Sequence, residues 1–265
     1  MNIEDGIVKN LSKFRENLKN GERGREGISE EEIEKKLARL GNLAELAQKA
    51  REPFDAEAIE ALARLVIKLE DKLPDYDAVL SDEASGRLPS LFLRKIINHA
   101  REKAGLDPAR IYFLAGGRHH NRAKNEAMKN FLAGKKGGIE KALMVTEFIR
   151  FGDGIMGLME SASEAGIDFD LAVVSSEESS GEYVRRFGKI FKKAVYGRES
   201  SAVGLAFYGQ PFVNGVVKDG ENPSPHPEAA FSPSQYEKLN RSEPKLKQAR
   251  EGIDFLAEEF YKLLD

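Results

Sequence analysis

The sequence predicts an α/β protein: a mainly parallel central sheet flanked by helices, with an all-helical N-terminal extension and an irregular C-terminal hood. Three observations predict it. From Tyr76 onward, short apolar runs alternate with helical stretches, the pattern of a parallel sheet with crossover helices. Residues 1–73 carry only the 3.6-residue period of helices. After Gly197 the texture turns irregular, with AVGLAFYGQPFVNGVVKDG followed by Pro223, Pro225, Pro227 and Pro233. The expected divisions are therefore 1–73, 74–200 and 201–265.

Taken in order, Ile3, Ile7, Leu11, Phe14 and Leu18 form one helical stripe, ended by Asn20-Gly21. Ser29 and Glu32 have the spacing of a capping box, with Ile28 and Ile33 as its hydrophobic staple. Ile33, Leu37, Leu40, Ala44 and Ala47 continue that helical face. Asp55 is placed to cap a third helix through Ile59, Leu62, Val66 and Leu69. These stripes serve either internal packing or a partner or dimer surface. The predicted strands are Ala78–Ser81, Ile111–Ala115, Ala142–Val145, Leu171–Val174 and Ile190–Val195. Helices are expected over Leu88–Ala104, from Ile155 through Ala162, from Glu182, and from Ser242 through Leu263. Gly116 to Gly138 reads as a long connection of low apolar content.

The chain has 265 residues, 41% hydrophobic and 32% charged, with a formal net charge of −3. That balance allows a sizeable core and gives no global basic field, so a nucleic-acid partner is not expected. There is no cysteine, which excludes disulfides, thiolate catalysis and Cys-based metal sites. No apolar run approaches a membrane span and MNIEDGIVKN lacks a signal-peptide core, so a cytoplasmic location is expected.

Three constellations carry candidate chemistry. The first is the turn Ser81-Asp82-Glu83-Ala84-Ser85-Gly86-Arg87, between a strand and a helix. Gly86 permits close backbone approach, Arg87 can grip a pyrophosphate through two N–H groups, Ser85 adds a hydroxyl, and Asp82 or Glu83 can hold Mg²⁺. An ordinary helix-starting turn explains the same residues. The second is Thr146-Glu147 followed by Arg150-Phe151-Gly152-Asp153-Gly154, at the end of an apolar strand and the start of a helix. Glu147 can accept hydrogen bonds from sugar hydroxyls, and the Gly152 and Gly154 amides can meet a phosphate. Asp153 has a place there as a helix cap pointing away from the anion. The third is the connection with Arg118, His119, His120, Arg122, Lys124, Lys129, Lys135 and Lys136, whose charge suits a lid over a polyphosphate. A solvated loop is the alternative.

In this order and spacing, residues 75–200 resemble the type I phosphoribosyltransferases. DEASGR is similar to that family's pyrophosphate loop after the first core strand. Gly116–Gly138 is similar to its mobile loop after the second. VTEFIRFGDGI lines up with its signature of an apolar strand, two acids and a phosphate-cradling loop; Thr146 takes the place of the first acid and Glu147 of the second. Only Gly152 of the loop's Thr-Gly-x-Thr pattern is kept. The resemblance implies Mg²⁺-dependent transfer of phosphoribose to a nitrogenous acceptor with release of pyrophosphate. It also implies a phosphorylated sugar or nucleotide as the ligand. Glu147 and Arg87 would be the catalytic pair. Asp82, Glu83, Ser85, Gly86, Arg118, Arg122, Lys124, Thr146, Arg150, Gly152, Asp153 and Gly154 would bind substrate, with Asp82 and Glu83 holding the metal. A non-catalytic phosphate-binding module and a scaffold using the N-terminal helices are the alternative readings.

Overall fold

The computed structural model describes residues 28–51, 53–82, 86–114, 122–149, 153–176, 194–199 and 243–264. Its centre is a parallel five-stranded sheet in the order β2-β1-β3-β4-β5, with β1 Ala78–Asp82, β2 Arg110–Leu114, β3 Lys141–Ile149, β4 Asp168–Ser176 and β5 Val195–Glu199. The described α-helices are α1 Glu30–Leu37, α2 Leu43–Ala50, α3 Ala56–Leu69, α4 Arg87–Lys103, α5 Arg122–Lys135, α6 Asp153–Glu164 and α7 Glu243–Leu264. The predicted helical stripe of residues 3–18, the helix from Glu182 and the segment 201–242 lie outside the described residues.

Two apolar clusters sandwich the sheet. On one face Val79, Leu143, Val145, Ala172 and Val174 meet α1 to α4 and α7. On the other Ala78, Leu80, Ala142, Met144, Leu171 and Val173 meet α5 and α6. Alternate residues of each strand serve opposite faces, as the pleat requires. The strands therefore read as continuous apolar runs rather than as alternating ones.

Ser29 and Asp55 start helices where the sequence places them, but the continuous face expected from Ile33 to Ala47 is broken by the 3-10 turn Ala38–Leu40 and Gly41, so α2 has a start of its own at Asn42. The Ser29 hydroxyl accepts from the Glu32 amide at 3.2 Å, the Asn42 side chain from Ala44 at 3.0 Å, and the Asp55 carboxylate from Ala58 at 2.7 Å. α3 is buried almost all round, from Ala58 to Leu69. It lies against β4 and β5 on its inner side and α1 and α2 on its outer side. Arg64, on α3, ties α1 down through Glu30 and Glu34 while pairing with Glu60 at 2.9 Å. The apolar stripes of α1 to α3 are thus part of one core with the sheet.

Three sequence expectations are corrected. β3 does not stop at Val145: it pairs with β4 as far as Ile149↔Ser176, so Thr146 and Glu147 lie inside the strand. The strand predicted to end at Val195 continues to Glu199 in β5, while residues 190–193 of that prediction lie outside the described residues. The long connection Gly116–Gly138 contains α5 and a 3-10 turn, Lys136–Gly138. Met128 and Leu132 are buried on one face of α5, and Lys129 pairs with Glu164 of α6 at 2.8 Å. Two or three well-spaced apolar residues suffice to dock a helix whose other positions are charged.

Two contacts fix the sheet to its surroundings. At its amino end, Asp170 accepts from the Tyr76 hydroxyl at 2.7 Å and pairs with Lys141 at 3.2 Å and Lys72 at 3.7 Å. Burial opposes its charge, but the Tyr76 hydroxyl, Lys72 and Lys141 together hold its carboxyl below the ordinary value. At the β5 edge, a Cβ on Gly197 would strike the Ala61 carbonyl oxygen of α3 and come within 2.7 Å of the Val174 carbonyl oxygen.

Asp170→Asn should lower stability at pH 7 by about 1–3 kcal/mol. Because the folded carboxyl titrates below its unfolded value of about 3.9, the contribution is complete above that value and fades as pH falls through the folded one. Denaturant titrations of both proteins between pH 7 and pH 2 should therefore converge only at the acid end. Gly197→Ala should cost about 1–3 kcal/mol, since backbone lies on both sides of the new methyl. Its melting curve should shift down while the wild-type far-UV spectrum is retained.

Candidate functional site

Beginning at the sheet, the strand order reverses direction at β1. The chain leaves β1 over α4 to reach β2 on one side, then returns through α5 to β3 on the other. β1 and β3 pair as far as Ser81↔Val145; beyond that β1 ends at Asp82 and β3 runs on to Ile149, with both carboxyl ends at the same edge of the sheet. The chain leaves β1 and β3 at this same edge, from adjacent strands; residues 83–85 and 150–152, which follow them, lie outside the described residues. In open α/β sheets this switch point is where ligands are received.

The core chemistry changes at this edge. Seven polar or charged side chains are buried among the described residues, and five of them gather here: Ser81, Ser90, Thr146, Glu147 and Ser175. Elsewhere the strands bury almost nothing but hydrocarbon. Strand parity sorts the five onto two faces. Glu147, two residues beyond Val145, faces the α4 side, as Ser81 does two residues beyond Val79. Thr146 and Ser175 follow Met144 and Val173 toward the α6 side. Thr146 and Glu147, the two residues standing in place of the acid pair, therefore point to opposite faces, and both are buried.

α4 differs at its start from the helices before it. α1, α2 and α3 are each capped by a side chain, whereas Gly86 at the head of α4 supplies none. Its φ of −73° is one that any residue adopts. The first turn of α4 contains no acidic residue and opens with Arg87. A cation at the positive end of a helix is unfavourable by a few tenths of a kcal/mol to about 1 kcal/mol. Arg87 is held there with its guanidinium carbon 4.3 Å from the centroid of the Phe113 ring. Behind it, the Ser90 amide donates to the Gly86 carbonyl at 2.9 Å, while the Ser90 hydroxyl, fully buried, makes no hydrogen bond among the described residues.

The other sequence-proposed residues distribute as follows. Asp82 closes β1, pairing in register with Leu114, and only its backbone is described. Arg122 and Lys124 lie in the first turn of α5, and Asp153 and Gly154 open α6, again with backbone alone described. Asp153 is thus the first residue of its helix rather than the cap before it. Glu83, Ser85, Arg118, Arg150 and Gly152 lie outside the described residues. Among the described residues no group of three His, Asp or Glu is placed to hold a metal ion, and no helix is long and apolar enough to cross a membrane. Phe113, Ser90 and Ser175 were not singled out from sequence. Phe113 lies inside an ordinary apolar strand run, and isolated serines give no motif.

Compared with protein-family models, curated proteins and solved structures, the chain matches none. The fold class stands on the structure itself: a parallel five-stranded sheet flanked by helices.

Ser90→Ala should leave the stability of the unliganded protein unchanged or raise it by up to about 1 kcal/mol, because it removes a buried hydroxyl that has no partner. Equilibrium denaturation decides the point. A loss of more than about 1 kcal/mol would show that the hydroxyl is bonded in the native state.

Proposed function

We propose that the chain is a phosphoribosyltransferase-type protein that receives phosphoribosyl diphosphate at the junction of β1 and β3. The observation supporting the reading is the reversal of strand order at β1, with adjacent β1 and β3 ending at the same edge of the sheet, where the Asp82–Arg87 turn and the turn after β3 begin. Those are the two loops that the sequence resemblance assigns to the pyrophosphate and the 5′-phosphate. Arg87, at the uncapped head of α4, supplies two N–H groups and a positive charge for the diphosphate. An anion at that position also relieves the unfavourable placement of a cation at a helix N-terminus. The amides at the start of α6 meet the other phosphate.

Transfer breaks the bond from ribose C1 to the diphosphate, whose oxygen keeps the electron pair. A nitrogen of the acceptor forms the new bond to C1. Chemistry of this kind asks the protein mainly for positioning and charge stabilisation. The resemblance implies Mg²⁺. The paired carboxylates of Asp82 and Glu83 are the hard oxygen donors that suit it, and the metal would neutralise charge on the diphosphate.

A second reading is favoured by one observation. Glu147 is only 2% exposed and Thr146 only 1%. Thr146 carries no carboxylate and that of Glu147 is not open to the ribose hydroxyls, which fits a non-catalytic module that binds a phosphorylated sugar or nucleotide. The scaffold reading draws less support, since the apolar faces of α1 to α3 are used within the core.

Isothermal titration with phosphoribosyl diphosphate and with ribose 5-phosphate, with and without Mg²⁺, tests the site. A pyrophosphate-release assay over a panel of nitrogenous acceptors then separates transferase from binding module. Arg87→Ala should weaken phosphoribosyl diphosphate by roughly tenfold or more while leaving ribose 5-phosphate nearly unaffected. Wild-type protein that binds neither would remove the site.

A further inference from the structure

We infer that the corner between α2 and α3 is a loaded hinge held shut by α7, so that α7 and the α1–α2 pair open together as one clasp. The load sits at Arg51, the residue that follows α2. Its φ is 64° and its ψ −176°, a combination nearly confined to glycine. The other described residues with positive φ are Gly41, Gly105 and Gly166. The chain supplies a glycine at each of those positions and an arginine here. The Arg51 side chain is exposed, so its burial does not account for the conformation. Hydrogen bonds fix the chain on both sides of it. The Arg51 amide donates to the Ala47 carbonyl at 2.9 Å, closing the last turn of α2, and the Arg51 carbonyl accepts from the Phe54 amide at 3.0 Å, just before α3. The φ between them therefore sets the angle at which α2 meets α3.

Strain of this kind persists only where surrounding structure enforces it, and here the enforcing element is α7. A Cβ on Gly252 would come within 2.6 Å of the Ala50 carbonyl oxygen and 3.0 Å of the Phe54 ring. α7 thus lies directly against the peptide that turns with the φ of Arg51, and Ala50 and Phe54 are both buried. A second contact holds the far end of α7. Arg39, in the 3-10 turn between α1 and α2, donates to the Lys262 carbonyl at 2.6 Å and the Leu263 carbonyl at 3.3 Å. The last carbonyls of a helix have no partner within it, so an outside donor is what they lack. α7 is therefore tied to the α1–α2 pair at two separated points. Relaxing Arg51 swings α2 away from Gly252, and lifting α7 leaves Arg51 free to relax. Each movement favours the other, because the strain exists only while both elements are in place. The open state uncovers the faces of α2 and α4 that α7 covers, and leaves the sheet, α5 and α6 as they are.

The test is native-state hydrogen exchange on the full chain, which reads the opening of each helix separately. In the wild type, the amides of α2 and α7 should share one opening equilibrium, more frequent than the global unfolding read at β1 and β3. Arg51→Gly removes the strain from the closed state, and should slow exchange in α2 and α7 alike by about tenfold. Local openings of α5 and α6 should be unchanged by it. Arg39→Ala loosens the far end of α7, and should speed exchange in α2 and α7 by the same factor. Different opening equilibria for α2 and α7 in the wild type, or exchange of both only through global unfolding, would overturn the inference. So would exchange in Arg51→Gly that is unchanged or faster, or an Arg39→Ala effect confined to α7. The wild-type measurement decides by itself if either variant fails to fold.

Discussion

A helix buried around most of its circumference has to be enclosed on most sides, and α3, whose one polar stripe is the half-buried Glu60, Arg64 and Lys68, imposes that constraint here. From Ala58 to Leu69 nearly every side chain is buried. One sheet face cannot do this alone, so α1 and α2 must close over the outside of α3 while β4 and β5 support it from within. The closeness of the inner contact shows at Gly197, where the α3 backbone leaves no room for a side chain. With α3 fixed, α7 and α4 complete the same layer. Phe92 and Phe260 meet edge-to-face at 5.0 Å, and His99 stacks on Tyr261 at 3.9 Å. On the other face the α5–α6 layer packs Met128, Leu132, Ile155, Leu158, Met159 and Ala162 on the sheet, with the Lys129–Glu164 ion pair joining its two helices.

Most of the architecture was legible in the sequence because its signals are local. Capping residues mark helix starts by themselves, as Ser29 and Asp55 do. Strand–helix alternation names a parallel sheet without any tertiary information. What escaped were features decided by distant partners. The reach of β3 past Val145 depends on β4 running alongside it as far as Ser176, and Thr146 and Glu147 look like a strand terminus when viewed alone. α5 was concealed by its charges, because Met128 and Leu132 are sparse anchors whose adequacy depends on the surface of α6. At the site, the glycine-bearing turns were visible as motifs. The pairing of Arg87 with Phe113 was not, since those residues are separated by a whole helix and brought together only by the β1–β2 register.

The polar content of the core is as informative as its apolar content. Burying hydroxyls and a carboxyl is unfavourable wherever hydrocarbon would pack equally well. Here such groups concentrate at one edge, at Ser81, Ser90, Thr146, Glu147 and Ser175. The amino edge is handled differently: Asp170 is matched by Tyr76, Lys72 and Lys141, and Asp77 accepts from the Glu140 and Lys141 amides at 2.8 and 3.2 Å. One end of the sheet is tied by ion pairs and hydrogen bonds to charged side chains, while the other gathers buried hydroxyls and a carboxyl beside the reversal of strand order.

The contact of Arg39 with the far end of the chain bears on how the molecule is made. Its guanidinium donates to the Lys262 carbonyl at 2.6 Å and the Leu263 carbonyl at 3.3 Å, across 223 and 224 residues of sequence. α7 also lies against α2 and α4. During synthesis, which proceeds from the amino end, the faces of α2 and α4 that α7 covers stay open until α7 itself has been made. Closure comes as one late event, with the long loop closures that slow folding. A ribosome-stalled chain lacking its final turns is therefore the natural client of a chaperone.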